Sequence, residues 1–238
     1  MEPDASSRPL DGRRAASLTG TNDTGPDALA AVAAARRVNR ALRVSQAGAD
    51  VRAEVTRLLD QASELLEADA HPGPHCQVGF GPPDFGEGAQ PAQYFPYSPI
   101  VGPLNPLSPP VDFQVQPDRS VRGTVTLHEG YNGPPWNLAH GGVIAAIFDE
   151  LLGVGSIAAA GGGFTGSLTI RYRKPTPILR PIEMRAWLDH QEGRKLHMKG
   201  EMVADGVVTA EAEGIFILTA GPLKDEAGAP TNAPRGGG

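Results

Sequence analysis

From residue 120 onward, hydrophobic and polar positions follow a regular pattern that the rest of the chain lacks. Val121, Gly123, Val125 and Leu127 alternate with Arg122, Thr124, Thr126 and His128, as in a half-buried strand. Residues 141–159 are apolar almost without interruption, which is too long for a buried strand and predicts an enclosed helix. Alternation returns over 168–172, 182–189, 196–202 and from 207 to about 219, and Asp205-Gly206 marks a tight hairpin before the last run. The predicted order is strand, long helix, then four strands joined by short turns. That order describes an α+β domain at 119–220, an antiparallel sheet wrapped around one long buried helix.

Upstream, Val32, Ala35, Val38 and Leu42, then Val51, Val55, Leu58 and Leu59, recur at helical spacing across residues 26–70, with Gly48 between two helices. This helical extension is charged and alanine-rich, so it reads as a packing or oligomerisation element without chemistry of its own. Residues 71–118 form a Pro/Gly-rich loop region leading into the domain. Residues 1–25 and 221–238 lack period and apolar content, and read as a disordered arm and a disordered tail.

Composition narrows the possibilities further. A formal charge of −6 argues against a nucleic-acid groove. Cys76 is the only cysteine, which excludes an internal disulfide and fits a reducing, cytoplasmic setting. His71 and His75 lie near it, but a metal needs three or four fixed ligands and no further partner is evident, so no metal site is expected. The start Met1-Glu2-Pro3-Asp4 has no basic, then apolar, secretory pattern. A membrane span over 138–160 would bury the Asp149-Glu150 pair at about 2.5–3.5 kcal/mol per acid, so a core helix is the better reading.

The chemistry concentrates at the start of the long helix. His140-Gly141-Gly142 opens it, and the first N–H groups of a helix have no intrahelical partners and sit at its positive end. Such donors suit a developing oxyanion. Asp149 follows nine residues after His140, in a run whose other members are apolar, where a carboxylate is costly without a task. The plain alternative is a glycine turn at a helix end and an exposed acid. Gly142 and Asp149 are about 10 Å apart along a helix axis, too far to act on one carbonyl unless two subunits share the site.

Together with Gly133-Pro134-Pro135, the segment Tyr172-Arg173-Lys174-Pro175-Thr176-Pro177 and Glu192-Gly193-Arg194-Lys195, this pattern over residues 130–218 resembles the hotdog-fold acyl-CoA thioesterases of the phenylacetate-pathway and carboxyl-terminal modulator protein types. The resemblance implies a hotdog fold and hydrolysis of an acyl-CoA, in a homodimer or dimer of dimers, with no cofactor because coenzyme A belongs to the substrate. It implies that the Gly142 N–H polarises the thioester carbonyl, that Asp149 serves as general base or nucleophile, and that Thr165 positions Asp149. Thr165 shares strand parity with Ser167, Thr169 and Arg171, so it is expected to face away from the apolar side. His140 takes a supporting role in preference to acid–base chemistry. Gly141 and Asn137 fall among the substrate contacts, with Asn132 also near, and Arg173, Lys174, Arg194 and Lys195 fall where relatives hold the coenzyme A phosphates. Glu150 points about 100° away from Asp149, toward a subunit interface. Two other readings remain open at this level: an enoyl-thioester hydratase on the same fold, whose helix places an acid before a histidine, and a non-catalytic binding protein.

Overall fold

The computed structural model describes residues 25–68, 85–133 and 137–218. The tail and nearly all of the arm assigned from composition lie outside the described residues, as do His71, His75, Cys76 and the Pro134-Pro135 pair.

Two 19-residue helices, α1 (Pro26–Val44) and α2 (Ala49–Glu67), come first, followed by one helical turn, α3 (Pro91–Tyr94). The strands β1 (Asp112–Val115) and β2 (Val121–Thr126) precede two short strands, β3 (Asn132–Gly133) and β4 (Leu138–Ala139), which pair only with each other. The long helix α4 (Gly141–Ala160) is followed by β5 (Phe164–Tyr172), β6 (Pro181–Glu192), β7 (Lys195–Ala204) and β8 (Val207–Ile217). The main sheet has six strands in the order β1-β2-β6-β7-β8-β5, every pair antiparallel. Helix α4 touches all six, so the sheet wraps around it and the architecture is the hotdog fold.

Two departures from the sequence pattern bear on the site. A strand, β1, lies inside the segment read as loop; only Phe113 and Val115 carry its alternation, and four residues among prolines give too short a run to recognise. Second, β5 does not turn directly into β6. It pairs with β8 at the far edge of the sheet, and residues 173–180 carry the chain back across to β2. The tight hairpin expected at Asp205-Gly206 is present, with φ of 51° and 74° and Ala204 opposite Val207.

Helix α4 buries Ile144, Ile147, Phe148, Leu151, Leu152 and Val154 against the sheet. At about 1.5–3 kcal/mol per large side chain, this packing outweighs the few tenths that propensity differences contribute. Close approach depends on glycine: a Cβ on Gly200 would meet Leu152 Cδ1 at 2.7 Å, and one on Gly214 would meet Leu152 Cδ2 at 3.0 Å. The helix is not enclosed all round, however. Gly142, Ala146 and Asp149, spaced by four and three, form one exposed stripe.

No residue of α1 or α2 is fully buried. Helix α1 is nevertheless tied to the domain by Arg36, which donates to the 102–108 segment, and by Arg40, whose guanidinium meets the Glu129 carboxylate at 3.0 Å.

Candidate active site

His140 forms the N-cap of α4. Its carbonyl accepts from Val143 and Ile144 N–H, and its ring Nδ1 accepts from Gly142 N–H at 3.0 Å. The supporting role expected of His140 therefore has a physical form: it closes the helix end. This cap also occupies the N–H that the sequence reading assigned to the oxyanion at Gly142. The neighbouring Gly141 N–H has no acceptor among the described residues. Tyr172, for which the pattern of the chain suggests no individual role, donates its hydroxyl to Gly141 O at 2.8 Å and fixes that peptide from the strand side. Around Gly141 lies an open cavity of about 380 Å³, lined among others by Leu138, Ile144, Tyr172, Lys174 and Thr176.

Asp149 stands on the exposed stripe, not among buried groups as the apolar run implied. Thr165 Oγ1 donates to its Oδ1 at 2.9 Å. The parity argument for Thr165 fails here for a local reason. The register slips between Thr165 and Ser167, so Thr165 lies opposite Phe216, whose ring packs on α4, whereas Ser167 lies opposite Ile215 on the outer face. An irregularity at Gly166 thus turns Thr165 toward the helix carboxylate.

Glu150 turns away from Asp149, toward the 98–108 segment. Its carboxylate accepts from Ser98 Oγ at 2.9 Å within the same chain. Burial raises its pKa above the ordinary carboxylate value, the Asp149 charge adds to the rise, and the Ser98 hydrogen bond opposes it.

The four candidate phosphate ligands do not converge within one chain. Arg173 and Lys174 line the cavity beside Gly141, and Arg173 also pairs with Glu211 at 2.7 Å. Arg194 donates to Leu218 O at the other end of the sheet, where Lys195 and Phe164 both pair with Ile217. The length of β5, about 25 Å at ~3.3 Å per residue, separates the two pairs. Asn132 Oδ1 accepts from Leu138 N, a structural turn contact. Asn137 is exposed in a left-handed conformation, φ 63°, which its short polar side chain tolerates, and its carbonyl accepts from Ile178 N. Among the described residues, no group of three or more His, Cys, Asp or Glu side chains could hold a metal.

Residues 137–211 match the family model described as the thioesterase superfamily. A solved structure described as a thioesterase superfamily protein is 34% identical, aligns over 80% of this chain and 90% of its own, and superposes with a TM-score of 0.69. The chain belongs to the thioesterase superfamily. Among curated proteins it is similar to acyl-coenzyme A thioesterase THEM4 of Xenopus laevis, 32% identical over 36% of this chain and 39% of the relative. It is also similar to THEM4 of Mus musculus, 34% identical over 40% of this chain and 42% of the relative. The alignment thus spans less than half the length of the curated relatives it matches.

Proposed function

We propose that this protein hydrolyses acyl-coenzyme A thioesters to the free acid and coenzyme A, at sites shared between two subunits. The observation that carries the reading is the Asp149 carboxylate, exposed on the face of α4 and held by the Thr165 hydroxyl. In that position it can take a proton from water as the water oxygen attacks the thioester carbonyl carbon. The carbonyl electrons move onto oxygen, where a helix-start N–H stabilises them; Gly141 offers the unoccupied donor, and Gly142 could donate only if the His140 ring released it. Collapse of that intermediate breaks the C–S bond, and the departing sulfur takes up a proton. The names of the curated relatives support the same chemistry.

Sharing between subunits follows from distance and from an unfinished edge. Gly141 and Asp149 are eight residues apart, about 12 Å along one axis, so a single chain cannot bring both to one carbonyl. Strand β5 ends the sheet, and Phe164 and Tyr172 on it are 57% and 54% exposed. A long apolar edge of this kind invites a second strand. Antiparallel pairing of two β5 edges about a two-fold axis sets one Gly141 against the other chain's Asp149. It also brings Arg173 and Lys174 of one chain toward Arg194 and Lys195 of the other, forming the phosphate-binding group that one chain lacks.

The test is release of free thiol from a panel of acyl-coenzyme A substrates, followed with a thiol-trapping dye. Hydrolysis that Asp149→Asn reduces by about 10²–10⁴-fold is the expected result. A variant keeping more than a tenth of the turnover, or a wild-type protein inert on every acyl-coenzyme A, would overturn the reading.

A further inference from the structure

The half-buried neighbour of the proposed base, Glu150, belongs to a polar chain that reaches the N-terminal helices. Ser98 is buried, its hydroxyl donates to Glu150, and the same oxygen accepts from Ile100 and Val101 N–H. The segment around it closes on itself: Gly102 N donates to Ser98 O, Leu104 N to Pro96 O, and Asn105 Nδ2 to Tyr97 O. Only glycine fits at 102, where a Cβ would lie 2.5 Å from the Ser98 backbone. Arg36 of α1 seals this loop. One of its terminal nitrogens donates to Gly102 O, Asn105 O and Ser108 Oγ at 2.6–2.9 Å. A cation that meets carbonyls and a hydroxyl through this nitrogen, with no carboxylate partner among the described residues and its Nε unpaired there, serves to organise the loop.

We propose that Ser98 and Glu150 are positioning residues that fix the Asp149 turn of α4, and that Arg36 makes helix α1 part of that support by locking the loop that carries Ser98. The inference rests on Asp149 acting as the base. Asp149 is exposed, and Thr165 holds only one of its oxygens directly; Phe148, Leu151 and Leu152 seat its helical turn on the sheet, and a polar tie at the next residue sets the turn from the side facing the 98–108 loop. Glu150 makes that tie, and among the described residues its carboxylate is held by the Ser98 hydroxyl. The N-terminal extension, which the sequence pattern left without chemistry, then contributes to turnover without touching substrate.

The experiment uses the full chain and four variants: Ser98→Ala, Glu150→Ala, Glu150→Gln and Arg36→Ala. Expected is a fall of at least tenfold in kcat for Ser98→Ala and Glu150→Ala with KM within twofold. Glu150→Gln should stay within threefold of wild type, because its amide oxygen still accepts from Ser98. Arg36→Ala should lower kcat in the same direction, and Arg36→Ala with Ser98→Ala should cost less than the product of the two single effects. Wild-type kcat in Ser98→Ala, or equal damage from Glu150→Ala and Glu150→Gln, overturns the proposal. Ser98→Ala removes one hydroxyl and carries the test if Glu150→Ala does not fold. Should the wild type hydrolyse no thioester, the proposed function fails separately, and amide exchange decides the bracing. Ser98→Ala should then speed exchange over residues 146–152 relative to 156–160, and unchanged exchange overturns the brace as well.

Discussion

At the scale of single residues, the site divides into groups that the pattern of the chain discloses and groups that it does not. Replacing the proposed base tests the first kind: Asp149 is exposed, so Asp149→Asn should leave the denaturation midpoint unchanged while turnover collapses. Thr176 tests the second. It is 3% exposed, and its hydroxyl has no hydrogen-bond partner among the described residues, a cost that Thr→Val removes without changing shape. Thr176→Val should therefore stabilise the free protein by about 1 kcal/mol in chemical denaturation. Lower stability in that variant would mean that the hydroxyl is satisfied in solution. The His140 and Asp149 pair was legible because its spacing does not depend on tertiary structure. Which glycine keeps a free N–H was not legible, since it depends on how the His140 ring turns back onto Gly142. Thr165 does contact Asp149, but parity put it on the wrong face, because counting by twos cannot register the slip at Gly166.

The elements themselves were easier to read than their connections. Alternation located β2, β5, β6, β7 and β8, because burial on one side imposes the period, and the long apolar run around Asp149-Glu150 located α4. Pairing order is carried by no local pattern, so the crossing from β5 to β6 and the short β1 emerged only from the fold. The acid pair on α4 has a consequence for stability against pH. Burial raises the Glu150 pKa, so between the ordinary carboxylate value and that raised value the folded chain keeps a proton the unfolded chain has lost. Stability from this group is thus greatest at low pH and declines as pH rises through that window. Glu150→Gln has no such proton. The stability of wild type relative to this variant, measured by urea titration at successive pH values, should fall as pH rises from the ordinary carboxylate range. A flat or rising difference would contradict the assigned shift.

For the whole molecule, the central question is how much of a site one chain can build. Asp149→Asn chains should be inactive, and so should Gly141→Pro chains, which lack the helix-start N–H at a position where proline is otherwise well tolerated. After subunit exchange the mixture should recover up to about a quarter of wild-type activity, since half of the randomly paired dimers carry one intact site of two. Proven exchange without recovery would mean that each site lies within one chain. Strand β5 carries a further consequence, one for how the protein withstands heat. If two β5 edges pair as proposed, covering side chains such as Phe164 and Tyr172 that one chain exposes, folding and association become one equilibrium. The unfolding temperature is then a property of the solution as well as of the chain. It should rise by measurable degrees for each tenfold increase in protein concentration, and a midpoint indifferent to dilution would show that the β5 edge is stable alone.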